Sequence, residues 1–283
     1  MTTIREAIAL GRQALAAVPD PKVDALALLG EATGLSPLNL RLRAMESLKP
    51  EQEERYRSLL LLRAQREPLQ YLLGTQCFFG FDFAVDRRVL IPRQETEMLC
   101  ELALLAMKGH PAPSVLDLCT GSGAIAVTLK RMRPDAEVTA ADVSVDALSV
   151  AAANAARNGA AVRFVRGDLL TPVQDEQFDL IVCNPPYIDS AACETLQPEV
   201  LREPRLALDG GADGLDFYRQ LAAGAPAFLK PHGHLMVEVG DAQAERVAAL
   251  FTEKGLLTDA AIHRDLYGME RFVTARLAEA FPT

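Results

Sequence analysis

The run Asn184-Pro185-Pro186-Tyr187 gathers groups suited to holding a planar amine. The Asn184 carboxamide offers one acceptor and two donors, the prolines keep their carbonyl acceptors but lack N–H groups, and Tyr187 offers a flat face. Directly before them stands the apolar run Phe178–Cys183, which reads as a buried strand. Pro185 and Pro186 cannot donate to a sheet ladder, so the strand must stop there. Such a site can bind an –NH2 group by its two hydrogens and leave the nitrogen lone pair pointing at an electrophile. The plainer alternative is a proline-rich loop that ends a strand.

A second constellation precedes it. Asp117-Leu118-Cys119-Thr120-Gly121-Ser122-Gly123 follows an apolar run and opens a helical one. Glycines there let a ligand approach the backbone, and the helix N-terminus brings unpaired N–H groups. Asp142 ends the next strand-like run, where a carboxylate can accept both hydroxyls of a ribose. Asp168 follows a third such run; it can accept the exocyclic amine of an adenine packed on Leu169, or it is a turn residue after Gly167. Gly121-x-Gly123-x-x-Ala126 also fits the dinucleotide fingerprint, so a nicotinamide cofactor competes with S-adenosyl-L-methionine. Two features favour the latter. Asp117 would repel a pyrophosphate but can hold a ligand ammonium through the loop or a water. Asn184–Tyr187 falls at the end of the sheet where ligands of open α/β folds bind, and a nicotinamide enzyme has no evident use for it.

These groups need a scaffold. From about residue 113, strands expected at Ser114–Leu118, Glu137–Ala141, Val162–Val165, Phe178–Cys183 and His234–Val239 alternate with helices such as Ser144–Asn158 and Asp216–Leu229. Alternation of this kind implies an α/β fold with a parallel sheet covered on both faces. Two last strands are expected near 258–264 and 271–276, turning at Gly268. Residues 1–76 read as a small helical domain. Ile4, Ala7, Ile8 and Leu15, then Val23, Leu26 and Leu29, then Tyr56, Leu59, Leu60 and Arg63 recur near a 3.6-residue period. No ionisable constellation is evident there, and Arg41, Arg43, Arg55, Arg57, Arg63 and Arg66 read as a solvated helical face. Residues 77–91, rich in Phe and Val around Gly80 and Asp86, suggest a β-hairpin linking it to a domain spanning 92–283. Glu95 and Glu97 open a helix near 95–108, as first-turn acids or as functional groups.

A net charge of −9 argues against affinity built on neutralising many phosphates, and thus against a stable nucleic-acid partner. The five cysteines are odd in number and, like the four histidines, lack metal spacing, so no metal is expected. The cysteines suit a reducing compartment; no apolar stretch reaches membrane-spanning length and no signal-peptide core is evident, so a cytoplasmic protein is expected.

Several further segments carry a resemblance: Glu67–Gly74, Leu90–Glu97, Val115–Gly123, Asn184–Tyr187, Glu203-Pro204 with Ala207-Leu208, Gly210–Leu215, Glu238-Val239-Gly240 and Asp265–Arg271. As an ordered set they resemble the protein-(glutamine-N5) methyltransferases that modify peptide chain release factors, the HemK/PrmC family. The resemblance implies a Rossmann-like class I methyltransferase domain with a seven-stranded sheet, using S-adenosyl-L-methionine. It also implies an N-terminal helical domain that grips the substrate, and a substrate glutamine in the Gly-Gly-Gln loop of a class 1 release factor; a monomer is expected. Asn184, Pro185, Pro186 and Tyr187 would then orient the glutamine amide. Asp117, Cys119, Thr120, Gly121, Ser122, Gly123, Asp142, Asp168, Leu169 and Asn184 would contact the cofactor. Glu203, Asp213, Glu238 and Asp265 are read as caps or loop packing. Two positions depart from the family pattern. Cys119 replaces the first loop glycine, which a small side chain tolerates at negative φ, and Gln94 replaces a proline. The rivals are a glutamine methyltransferase of a ribosomal protein, a nucleic-acid amino methyltransferase, a nicotinamide oxidoreductase and a non-enzymatic binding module.

Overall fold

The computed structural model describes residues 2–278. The outermost residues of the expected domain ranges, 1 and 279–283, lie outside them. The chain divides into two compact units, one of residues 2–75 with Gln197–Arg202, the other of Gln76–Leu196 with 203–278.

The first unit holds five helices, α1 (Ile4–Ala14), α2 (Pro21–Thr33), α3 (Pro37–Leu42), α4 (Pro50–Ala64) and α5 (Leu69–Leu73). Their boundaries follow local chemistry. Thr3 and Glu6 form a reciprocal capping box on α1, Pro begins α2, α3 and α4, and Gly34 ends α2 in the left-handed region. The apolar face of α2 differs from expectation. Asp24, Ala25, Leu28 and Leu29 are buried, whereas Val23 is largely exposed and Leu26 half-buried. The helix is apolar on several faces, and the Arg63 guanidinium decides among them by bonding Asp24 at 2.6 Å. Arg63 also bonds Glu199 at 2.9 Å, and Glu199 takes two 2.6 Å bonds from Arg66. This unit therefore does contain an ionic cluster, and Arg63 is buried rather than solvated. Its members are far apart in sequence, so local spacing cannot show it. Arg43, Arg55 and Arg57 pair with Glu46, Glu31 and Glu53 at the surface.

The second unit opens with a short hairpin, β1 (Thr75–Phe78) and β2 (Phe81–Ala84), turning through Phe79 and Gly80 at positive φ. The hairpin stops at Ala84, so residues 85–91 are not strand as expected. Val85, Val89 and Ile91 are buried, but this segment makes a turn, with Val89 N–H bonding Asp86 O, and pairs with no strand. Next come α6 (Thr96–Ala106), β3 (Ser114–Leu118), α7 (Ala124–Met132), β4 (Glu137–Asp142), α8 (Val145–Arg157), β5 (Arg163–Arg166) and β6 (Phe178–Cys183). They are followed by α9 (Asp216–Gly224), β7 (Leu229–Glu238), α10 (Ala244–Thr252), β8 (Leu257–Arg264) and β9 (Glu270–Leu277). α9 ends earlier than expected, and after one 3-10 turn β7 begins at Leu229.

The strands form one seven-stranded sheet in the order β5-β4-β3-β6-β7-β9-β8. β3 to β7 run parallel, while β9 is antiparallel to both β7 and β8. Alternation in β6 feeds two cores. Ile181 and Cys183 pack with Tyr218 and Leu221 of α9 and with Val247 and Phe251 of α10. Leu180 and Val182 pack with Leu99 and Ala103 of α6, Val127 of α7 and Ala155 of α8. The chain runs outward from β3 through β4 to β5, then returns to β6 on the other side of β3. The reversal opens a crevice at the carboxyl ends of β3 and β6, where the loops 119–123 and 184–187 both begin.

Candidate active site

A cavity of about 750 Å3, open mouth included, lies at these strand ends. Cys119, Gly121, Asp142, Asp168, Leu169 and Asn184 all line it, together with Pro186. The structure thus brings together residues from the ends of four parallel strands. Arg88, Val89 and Leu90 form another wall, and Pro204, Leu206, Ala207 and Phe217 a further one. Of these walls only Leu90, Pro204 and Ala207 belong to the resembling segments, and the sequence marked none of the seven as a site residue.

Asp142 ends β4 with its carboxylate fixed by two backbone donors. Its Oδ2 accepts from Gly121 N–H and its Oδ1 from Ser144 N–H, each at 2.9 Å. Each oxygen keeps a second acceptor site for a hydroxyl. Burial raises its pKa, opposed by the Ser144, Gly121 and Val143 amides.

Asp117, Thr120, Ser122 and Gly123 do not line the cavity; they shape its loop from behind. Asp117 is fully buried, and its Oδ2 accepts from Thr120 Oγ1 at 2.6 Å and Ala126 N–H at 3.1 Å. Its Oδ1 has no hydrogen-bond partner among the described residues. Burial pushes its pKa up to about 7, against the Thr120 and Ala126 hydrogen bonds and with a smaller push from Asp142. Cys119 stands at φ +56°, so negative φ is not how it fits. The turn imposes a left-handed conformation that costs a non-glycine residue about 1–2 kcal/mol. Leu169 also lies at positive φ, +44°.

The acceptor segment is held as firmly. Asn184 Nδ2 donates to Thr96 Oγ1 at 3.2 Å, and Thr96 Oγ1 donates to Glu238 Oε2 at 2.6 Å. No described residue donates to Asn184 Oδ1 or to the Pro185 carbonyl; Asn184 lines the cavity, whereas Pro185 is buried beside it and Tyr187 also lies off the lining. Tyr187 O accepts from Gln243 Nε2 at 2.9 Å, while Ile188 N–H bonds Leu208 O and Gly210 N–H bonds Ile188 O. This pairing explains the glycines of two neighbouring segments. A Cβ on Gly210 would lie 2.7 Å from Pro186 O, and one on Gly240 3.0 Å from the Tyr187 ring.

The acids read as caps divide. Glu203 accepts from Ile91 N–H at 2.9 Å and pairs with Arg93 at 2.5 Å, and Asp265 accepts from Tyr267 and Met269 N–H at 2.9 Å. Asp213 pairs with Arg219 and Arg246. Glu97 accepts from Phe79 N–H at 2.8 Å, holding the hairpin turn. Glu238 departs from the reading: it ends β7 beneath Asn184, and its side chain caps no loop among the described residues. Among the described residues no cluster of three or more His, Cys, Asp or Glu can hold a metal ion, and no helix is long and apolar enough to cross a membrane.

The cavity fits S-adenosyl-L-methionine. Asp142 suits a ribose diol and Asp168 with Leu169 suits an adenine edge and face, while Asp117, off the cavity lining, braces the loop between them. Residues 6–74 match the model of the PrmC N-terminal domain, and residues 95–212 match that of the methyltransferase small domain. The release factor glutamine methyltransferase of Geobacter sulfurreducens is 45% identical over 278 residues, covering 97% of each chain. That of Deinococcus radiodurans is 44% identical over 270 residues, covering 95% of this chain and 96% of its own. Among solved structures, a 16S rRNA N2 G1207 methyltransferase of T. thermophilus has a TM-score of 0.52 at 18% identity, over 72% of this chain and 50% of its own. A methyltransferase from Pyrococcus furiosus has a TM-score of 0.50 at 18% identity, over 70% of this chain and 89% of its own. These two show the shared fold. The extent and identity of the matches to the curated relatives settle the family: the chain belongs to the release factor glutamine methyltransferases and is an S-adenosyl-L-methionine-dependent methyltransferase.

Proposed function

We propose that this enzyme methylates the side-chain amide nitrogen, N5, of the glutamine in the Gly-Gly-Gln loop of class 1 release factors. The observation that carries the reading is the unclaimed acceptor Asn184 Oδ1 at the wall of the cavity, with a second carbonyl, that of Pro185, next to it in the chain. A primary amide presents two N–H groups in one plane, which two such carbonyls can accept together. The relatives' names support the glutamine and the release factor.

An amide nitrogen is a weak nucleophile because its lone pair is delocalised into the carbonyl. The protein must therefore act by orientation and by supporting developing charge. Bound S-adenosyl-L-methionine supplies an electrophilic methyl group. Asn184 Oδ1 and Pro185 O hold the amide hydrogens and fix the direction of the nitrogen. As positive charge grows on that nitrogen its hydrogens bind these oxygens more tightly, which favours the transition state over the ground state. Pro186 and Tyr187 pack against the planar amide. The nitrogen gains one bond to the methyl carbon as that carbon's bond to the sulfonium sulfur breaks, leaving the electron pair on sulfur, and it gives up one proton to water. Asp142 would hold the ribose, and Asp168 with Leu169 the adenine.

The test is transfer of labelled methyl from S-adenosyl-L-methionine to purified release factor, with a Gln→Ala change in its Gly-Gly-Gln loop as control. Label on the unaltered factor alone is expected. No label while the cofactor still binds would overturn the substrate and turn attention to ribosomal proteins and nucleic acid.

A further inference from the structure

We propose that Thr96 and Glu238 are positioning residues whose hydrogen-bonded chain sets which end of the Asn184 carboxamide faces the substrate. The proposal rests on the reading of Asn184 as the residue that receives the glutamine amide. Thr96, the first residue of α6, and Glu238, the last of β7, are 4% and 1% exposed. An ionised carboxylate only accepts hydrogen bonds. Beside an ionised Glu238, Thr96 must therefore spend its single hydroxyl proton on the carboxylate 2.6 Å away. The Thr96 oxygen then offers only lone pairs to Asn184, which turns its NH2 group toward it. Asn184 Oδ1 is left facing away, as the acceptor that an incoming –NH2 needs. A carboxamide turned over by half a turn would meet the substrate N–H groups with its own.

The direction of the chain depends on the charge of Glu238. A protonated Glu238 can donate to Thr96, and Thr96 can then donate to Asn184 Oδ1, which stabilises the wrong orientation. The surroundings hold Glu238 near this balance. Burial raises its pKa, opposed by the Thr96 hydroxyl and the Arg271 guanidinium of β9, raised by Glu95 before α6 and lowered by Asn184; the outcome is about 7. Tyr187, Tyr218 of α9 and Cys100 of α6 complete the titratable surroundings, and Tyr218 donates to the Glu238 backbone carbonyl at 2.8 Å.

The test measures kcat for release-factor methylation from pH 5.5 to about 8.5, across the usual range of histidine-like titrations, with cofactor affinity measured by calorimetry. Thr96→Val keeps the shape and removes the hydroxyl; it should lower kcat about 10- to 100-fold, as loss of an orienting outer partner does, and leave cofactor affinity unchanged. Thr96→Ser keeps the hydroxyl and should retain most of the rate. The unaltered enzyme should lose kcat on the acid side near pH 7; Glu238→Gln should flatten that limb. Wild-type kcat in Thr96→Val, a parallel loss of kcat and cofactor affinity, or an acid limb that survives Glu238→Gln would each overturn the proposal. Should Thr96→Val not fold, the Glu238→Gln profile decides. A wild-type enzyme that places no label on the release factor would overturn the functional reading, and this proposal with it.

Discussion

Asp117 and Glu238 are both buried carboxylates at the carboxyl ends of parallel strands, and burial raises the pKa of each to about 7. They differ in what their hydrogen bonds hold. Asp117 spends one oxygen on the Thr120 hydroxyl and the Ala126 amide, so it secures a loop backbone that walls the cofactor cavity. Glu238 is linked through Thr96 to a side chain, Asn184, whose free end meets the second substrate in the proposed mechanism. The same burial therefore serves two ends. On the cofactor side it braces a loop of the cavity, and on the acceptor side, as proposed, it sets the polarity of one carboxamide. Changes around Asp117 and Asp142 should act on cofactor binding and stability, and changes around Asn184 on turnover.

The largest effect on the cofactor side is expected from Asp142→Ala. It removes the proposed ribose acceptor and frees the Gly121 and Ser144 amides, so the cofactor dissociation constant should rise on the order of 100-fold, the loss of one or two hydrogen bonds to a charged group. Calorimetry checks this, and unchanged affinity would remove Asp142 from that role. Asp117→Asn tests the burial itself. A carboxyl whose folded pKa lies above its unfolded value adds stability below the unfolded value, and that contribution is lost as pH rises through the folded pKa. Wild-type protein should thus lose stability relative to Asp117→Asn between about pH 4 and pH 7, by an amount on the order of 2–4 kcal/mol. Thermal unfolding of the cofactor-free proteins at pH 5 and pH 8 measures it, and parallel pH profiles would contradict it. Gly210→Ala sharpens the contrast from the acceptor side. Its Cβ would press on Pro186 O and the Tyr187 backbone, so kcat should fall while cofactor affinity changes little, with about 1–3 kcal/mol lost in stability. The smallest effect is expected from Cys119→Gly, which should stabilise the protein by about 1 kcal/mol by relieving positive φ at the cofactor loop; an unchanged midpoint in chemical denaturation would show the turn to be unstrained.

Much of this arrangement was legible in sequence because it depends on local patterns. The apolar runs of β3, β4 and β6 and the proline stop after Cys183 are visible in single segments, and they place Asn184 and Asp142 at strand ends. Parallel α/β alternation then brings those ends together. Other features were hidden for physical reasons. Val85 is buried and Val89 walls the cavity, and periodicity cannot separate either role from a strand. The conformation of Cys119 is set by the loop around it rather than by its own preference. Thr96 and Glu238 are 142 residues apart, and Asp24 and Arg63 are 39 apart. Their meaning lies in pairings that only the folded chain creates. Glu238 looked like a loop cap because a strand-end acid in isolation has no other evident partner.

The measurement that tests the account most directly is the rate and cofactor affinity of Asn184→Ala, taken together on the same preparation. Loss of the one side-chain acceptor should lower kcat for release-factor methylation on the order of 10²–10³, by analogy with removal of one oxyanion-hole donor, with S-adenosyl-L-methionine bound nearly as tightly as by the unaltered enzyme. Turnover at the wild-type rate would contradict the role of Asn184 in orienting the substrate amide. A fall in cofactor affinity that accounts for the whole loss would instead assign Asn184 to the cofactor side.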